Sequence, residues 1–108
     1  MRILLDKCFL AGWQFGDFAK APGVRIPEGY PCQLVREPSN VHDTNAIGVW
    51  IETDEGNKRL GYIPRASNGA LALLLDEGRS IHCEVAVFAP EEKNPWKVIA
   101  VTTTLEEK

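Results

Sequence analysis

Apolar and polar positions alternate with a period of two along most of the chain, which is the pattern of half-buried strands. Lys7 to Phe15, "KCFLAGWQF", predicts a strand with Phe9, Ala11, Trp13 and Phe15 on one face and Cys8, Leu10 and Gly12 on the other. Pro22, Gly23, Pro27 and Gly29 make Asp17 to Gly29 a loop. Pro31 to Arg36 predicts a second strand, and Ala46 to Glu52 a third with Ile47, Val49 and Ile51 inward. The turn "TDEGN" joins that third strand to a fourth, Lys58 to Ile63, as a hairpin. Pro64 ends the strand, and Ser67 or Asn68 is placed to cap a helix running to Gly78. Leu71, Leu74 and Leu75 form its stripe at helical spacing. Asp76 and Glu77 stand at the negative end of that helix, where no local rule favours them. Ile81 to Phe88 predicts a fifth strand, with Ile81, Cys83, Val85 and Val87 on the apolar face and His82, Glu84, Ala86 and Phe88 on the other. Trp96 to Leu105 predicts a sixth, apolar on both sides from Val98 to Val101. Short strands with frequent turns and one helix imply a small barrel or sandwich.

Between the second and third strands the pattern breaks. "VREPSNVHDTNAIGVW", Val35 to Trp50, packs Arg36, Glu37, Asn40, His42, Asp43 and Asn45 into one run before turning apolar. Such a cluster is either turn chemistry or the lip of a binding site. Asp43 is placed to form an Asx-turn with the backbone of Asn45, and that role is compatible with a ligand role. Trp50, and Phe88 on a polar strand face, are the aromatics that core burial does not explain.

The 108 residues suit one domain with one core, residues 1–108. The longest apolar run, Ala70 to Leu75, is far below the ~20 residues of a membrane span. Asp6 and Lys7 interrupt the N-terminal apolar stretch too early for a signal peptide, so a cytoplasmic protein away from membranes is expected. Cys8, Cys32 and Cys83 are odd in number and widely spaced, and each falls in a predicted strand. They fit buried hydrophobes better than a disulfide framework or a zinc site. The net charge of −3 excludes a broad basic coat for nucleic acid but leaves room for a local site.

Catalytic constellations are missing. His42 and Asp43 are adjacent and poorly placed to act as base and orienter. His82 and Cys83, adjacent on a strand, point to opposite faces and form no dyad. "DTNAIG" lacks an oxygen ligand at Ile47, so it is no calcium loop. A magnesium nuclease needs clustered carboxylates, and Asp43 stands alone. No enzyme, metal or cofactor is expected.

Three blocks resemble the HIRAN domain in order along the chain. They are "FLAGWQF" from Phe9, "CQLVREPSNVHDTNAIGVW" from Cys32 and "LGYIPRASNGALALLLDEG" from Leu60. The middle block is the specific one. It is similar to the family's L-x-R-E-P-x-N-x-x-D-x-N-A-I-x-V pattern. The resemblance implies a mainly β fold, a small OB-like β-barrel of about six antiparallel strands with one principal helix. It also implies a DNA-binding module for the 3′ end of single-stranded DNA, in a DNA repair or processing context. With no helicase or RING segment, the chain resembles free-standing members, with a helicase or nuclease as the implied partner protein. By the same resemblance Asp43 would meet the free 3′ hydroxyl. His42 stands where DNA-end-binding members have a stacking Tyr, and Phe15 at an aromatic position of the first block. Gln14 stands where those members have a phosphate-binding Arg. Tyr62 would line the pocket, Arg65 would hold phosphate, and Phe88 would supply another ring. The competing class is a protein-interaction adaptor with a vestigial pocket. The acidic charge, Gln14 and the segment Pro22 to Pro31 speak for it, with a partner docking on a sheet edge or on Trp50.

Overall fold

The computed structural model describes residues 2–20 and 24–107, with Ala19 and Lys20 as backbone only. Pro22 and Gly23 of the proline-rich segment lie outside the described residues. Six strands form one antiparallel sheet: β1 (Arg2–Phe9), β2 (Pro31–Arg36), β3 (Ile47–Thr53), β4 (Gly56–Tyr62), β5 (Ile81–Phe88) and β6 (Ile99–Glu106). Their order is β1-β6-β5-β2-β3-β4, with one helix, α1 (Arg65–Asp76), after β4.

The sheet curls because three strands carry an extra residue. Register slips between Leu4 and Asp6, between Val85 and Val87, and opposite Val49/Trp50 where Leu60 is inserted into β4. Such bulges bend a strand and raise its twist. The curl brings the chain just past β1 against the far edge, where Ala11 and Tyr62 exchange backbone hydrogen bonds of 2.9 and 2.8 Å. The edges thus meet at one bridge, and the barrel is open rather than fully laddered.

The bulges also redirect side chains. Strict alternation puts Phe88 on the polar face of β5. The extra residue Ala86 reverses the parity, and Phe88 packs against the core. In β4 the same device puts Arg59 and Tyr62, three apart, on one face, while Leu60 is buried.

The predicted strand 7–15 needs correction. The strand begins at Arg2 and stops at Phe9, and Trp13–Phe15 is a 3-10 helix. Gly12 at φ 66° makes the reversal, a conformation L side chains rarely adopt. Trp13 and Phe15 therefore do not continue the face of Phe9. Gly61 permits the crossing: a Cβ there would stand 2.9 Å from the Ala11 carbonyl oxygen. The sixth strand likewise starts later than expected, because Pro95–Lys97 forms a 3-10 helix capped by the Asn94 side chain.

Ile47, Val49, Ile51, Leu60, Val85, Ile99 and Val101 make the centre of the core. Thr103 is buried with its hydroxyl donating to the Asp6 carbonyl at 3.3 Å. Cys32 and Cys83 are cross-strand neighbours, and all three cysteines are free thiols. The hydrogen bond with Cys32 and then burial raise the Cys83 thiol, and burial pushes Cys8 up to about 11. Thiols so raised stay protonated at neutral pH and are poor nucleophiles or metal ligands.

The helix starts three to four residues earlier than the cap signal implies. Pro64 stands at its N-cap with no side-chain cap, and its carbonyl accepts from Ser67 and Asn68. Asn68 lies inside the helix and is buried. At the other end Arg79 and Gly78 donate to Leu74 and Leu75, closing the helix. Asp76 has a tertiary reason for its position: Arg36 grips both its oxygens, at 2.9 and 3.1 Å.

Candidate nucleic-acid interface

The loop from Glu37 to Asn45 is braced by hydrogen bonds from its own side chains. Asn40 Oδ1 accepts from the backbone N–H of His42 at 2.9 Å and of Asp43 at 3.2 Å. Asn40 Nδ2 donates to Glu37 Oε1 at 3.1 Å. Asp43 Oδ1 accepts from Asn45 N–H at 2.9 Å, so the Asx-turn forms. Its other oxygen reaches α1. Asn68 Nδ2 donates to Asp43 Oδ2 at 2.8 Å, and Arg65 Nε lies 3.6 Å from the same atom. Arg65 also donates to the His42 carbonyl. The loop is thus tied to the first turns of the helix.

Between them lies a cavity of about 330 Å³, lined by Ala11, Asn40, His42, Asp43, Ala46, Tyr62, Ile63, Arg65 and Asn68. That is near the lower end of ligand sites, ~300–1,000 Å³, and suits one ring system rather than a strand. Larger hollows beside Tyr30 (about 460 Å³), Arg79 (about 530 Å³) and Leu74 (about 390 Å³) do not combine an aromatic ring with a cation, and the one beside Phe18 (about 360 Å³) sets Lys58 among three carboxylates, Asp17, Asp54 and Glu55. Asp43 is not sealed: 22% of its side chain is exposed. A carboxylate offers about four acceptor sites. Asn45 and Asn68 use two, which leaves capacity for a hydroxyl donor.

The hydrogen bond from Asn45, then that from Asn68, hold the Asp43 carboxyl below the usual carboxylate range, with Arg65 and Arg36 adding to this against burial. Asp76 is held low by its bond to Arg36. Both groups prefer the folded state when ionised. Their stabilisation is complete above the ordinary carboxylate pKa of ~3.9 and is lost as pH falls through the lowered values. Thermal melts should therefore show Tm falling below about pH 4. Asp43→Asn and Asp76→Asn should each flatten that fall; a wild-type Tm independent of pH from 3 to 6 would contradict it.

Tyr62 walls the cavity and donates to Glu37 Oε1 at 3.2 Å. Burial and then that bond raise its phenol, which stays protonated. The outer side of Tyr62 carries Arg59, whose guanidinium carbon sits 5.0 Å from the Tyr62 ring centre and 5.9 Å from that of Trp50.

The structure therefore gathers His42, Asp43, Tyr62 and Arg65 around one hollow. Phe15, 82% exposed, and Gln14, exposed, stand outside it on the 3-10 helix. The Phe15 carbonyl accepts weakly from Arg59 Nη2 at 3.4 Å, which sets that helix beside the Tyr62 wall. Trp13 is a clasp, packed on the core with its indole donating to the Pro95 carbonyl at 2.6 Å. Phe88 packs on the core and does not line the hollow. Sequence reasoning misses Asn68 and Arg59 as site residues and carries Glu37 only as a member of the polar run. Asn68 has a usable signal, being a polar residue three before Leu71 and four before Ala72 on the buried stripe. Arg59 has none, because its direction depends on the Leu60 bulge.

A family model, the HIRAN domain, matches residues 8–108. The chain belongs to the HIRAN domain family. This HIRAN chain superposes on a protein of Lactobacillus plantarum with a TM-score of 0.75 at 27% identity, covering 97% of this chain and 95% of that one. It shares its fold with the HIRAN domain of human HLTF, with a TM-score of 0.68 at 23% identity over 96% and 78% of the two chains. It is 37% identical over 70 residues to the Fanconi-associated nuclease 1 homolog of Oryza sativa subsp. japonica. That stretch is 65% of the HIRAN chain and 7% of the rice protein. No group of three or more His, Cys, Asp or Glu gathers as a metal site among the described residues. None of its described helices is long and apolar enough to cross a membrane.

Proposed function

We propose that this HIRAN domain is a non-catalytic DNA-binding module that takes the free 3′ end of single-stranded DNA. The observation that carries the reading is the Asp43 carboxylate that lines the hollow, partly exposed, held below the usual carboxylate range and accepting only two hydrogen bonds. The terminal base stacks on Tyr62, with His42 on the other side, and the sugar 3′ hydroxyl donates to Asp43. Base stacking on an aromatic ring is worth ~1–3 kcal/mol for any base, so the site reads an end more than a sequence. A 3′ phosphate would bring like charge against the carboxylate. Arg65 at the mouth faces the backbone, and Phe15 offers its exposed ring to the next base. Phe88 has no part, being packed on the core.

The likeness to a Fanconi-associated nuclease homolog and the family together favour a role in DNA repair, with a nuclease or helicase as the protein to which the module presents ends. The adaptor reading gains nothing from Trp50, which is half-buried beneath Arg59.

Fluorescence anisotropy with 5′-labelled oligonucleotides tests the proposal. The 3′-hydroxyl strand should bind about tenfold or more tighter than the same strand bearing a 3′ phosphate. With one or two phosphate contacts and a slope of ~0.7 per contact, affinity should fall only about three- to sevenfold between 50 and 200 mM salt. Equal affinity for both ends would sink the end-recognition claim, and a much steeper salt dependence would point to nonspecific binding along the strand.

A further inference from the structure

We infer that Arg59 is a second phosphate anchor, clamping a phosphodiester one or two nucleotides in from the end held in the Asp43 hollow. The inference rests on the reading above and adds a contact to it.

Three observations lead there. The first is the accounting of cations around the hollow. Arg36 spends its fork on Asp76 and also donates to the Ala46 carbonyl at 2.9 Å. Arg65 is drawn to Asp43. Among the described residues, no carboxylate comes within 4.0 Å of the Arg59 guanidinium. Its side chain is oriented by rings and neutral acceptors instead: Trp50, Tyr62, the Tyr62 hydroxyl at 3.2 Å and the Phe15 carbonyl. A stacked guanidinium keeps its charge and directs its edge outward in the plane that a phosphate accepts.

The second observation is a shortage of acceptors. Arg59 Nε and its neighbour Trp50 Nε1 are both buried with no hydrogen-bond partner. Buried donors rarely stay unpaired. Neither atom has surface open to an incoming group, so a phosphate would reach the guanidinium at its Nη atoms, whose present partners, the Tyr62 hydroxyl at 3.2 Å and the Phe15 carbonyl at 3.4 Å, are neutral, while the nearby Glu37 carboxylate is engaged by the Tyr62 hydroxyl.

The third is position. The Leu60 bulge turns Arg59 onto the Tyr62 side of the hairpin, and Arg59 Nη2 touches the backbone of the 3-10 helix that carries Gln14 and Phe15. A strand running from the hollow past the outer side of Tyr62 to Phe15 crosses the guanidinium. Gln14, uncharged, cannot supply this contact, and Arg59 reaches the carbonyl of the next residue, Phe15.

The test uses the whole chain and a 5′-labelled thymidine oligonucleotide with a 3′ hydroxyl. Arg59→Gln should weaken binding about three- to thirtyfold and lower the salt slope by about 0.7. It should leave the preference for 3′-hydroxyl over 3′-phosphate ends intact. Oligonucleotides with a neutral methylphosphonate at each internucleotide position in turn locate the contact. One substitution near the 3′ end should weaken wild-type binding and have no effect on Arg59→Gln. Should Arg59→Gln melt well below wild type, Arg59→Lys replaces it, and the Arg59 Nε–Hε NMR signal of the wild type is followed during titration with the same oligonucleotide. That signal should shift together with the loop amides of His42 and Asp43. An unchanged salt slope, additive methylphosphonate effects or a silent Arg59 signal, with the wild type still preferring 3′-hydroxyl ends, overturns the anchor and leaves the module reading standing. A wild type that prefers neither end overturns the module reading and the anchor with it.

Discussion

Replacing Asp43 with Asn should cost about ten- to a hundredfold in affinity for 3′-hydroxyl DNA and abolish discrimination against a 3′ phosphate. The substitution is chosen for what it spares. An Asn oxygen still accepts from Asn45 N–H, so the Asx-turn that orders the loop persists. The amide of Asn68 can rotate to present its oxygen to the new NH₂ group. What disappears is the negative charge that lines the hollow. The hydroxyl then meets a weaker acceptor, and the phosphate loses its electrostatic penalty. Affinity for the two ends should converge from both sides, the hydroxyl strand weakening and the phosphate strand improving. Anisotropy titrations with both oligonucleotides, at one salt concentration, read this directly. An Asp43→Asn protein that binds hydroxyl ends as tightly as wild type would show that the carboxylate serves only the turn. Asp43→Ala is the harsher companion. It also drops the bond from Asn45, so its Tm should fall further at neutral pH than that of Asp43→Asn, which loses only the contribution of the ionised carboxylate.

Asp43 illustrates how much of the site is legible in the sequence. Its residue type, its place before a strand and the surrounding block all point to it, and both its roles are compatible with the observed geometry. The strands β2, β3, β4 and β5 follow from alternation alone, because each has one face on a common core. Alternation fails where an extra residue enters a strand. It assigns Phe88 to the polar face because nothing in "IHCEVAVF" signals that Ala86 is unpaired. It hides Arg59 for the same reason at Leu60. Bulges are decided by the partner strand and by the curl of the whole sheet, which a single-strand pattern does not contain. The first strand misleads differently. "FLAGWQF" alternates well enough to pass as a strand, yet Gly12 reverses the chain so that Ala11 can bridge Tyr62. That choice is tertiary: one bridge at the far edge outweighs the local strand preference of the residues after Ala11. Asp76 sits against the helix dipole for a tertiary reason too, the Arg36 fork being a nearer and stronger partner than the helix end.

The same bridge makes Gly61 the position where the smallest change should do the most harm. A methyl group added there would lie 2.9 Å from the Ala11 carbonyl oxygen and 3.2 Å from Leu10 Cβ. Neither neighbour can yield cheaply. The carbonyl is already accepting from Tyr62 N–H at 2.8 Å, and Leu10 is 1% exposed in the core. Relief requires moving the chain that crosses β4, which breaks the bridge holding the two sheet edges together. Overpacking of this kind costs ~1–3 kcal/mol, and the lost bridge puts Gly61→Ala toward the upper end. For a domain of this size Tm should drop by about 5–15 °C. The damage should also be directional. Ala11 lines the hollow and Tyr62 is its wall, so DNA-end binding should weaken even at temperatures where the variant is fully folded. Gly69→Ala is the control. It lies exposed on α1, where a Cβ would have only Asn45 Nδ2 at 3.9 Å nearby, and Ala is the better helix former by ~1 kcal/mol. Tm should rise for Gly69→Ala and fall for Gly61→Ala. A Gly61→Ala protein as stable as wild type would mean that the bridge is not what ties the sheet's edges, and the hollow would have to owe its shape to the Asp43–Asn68 tie alone.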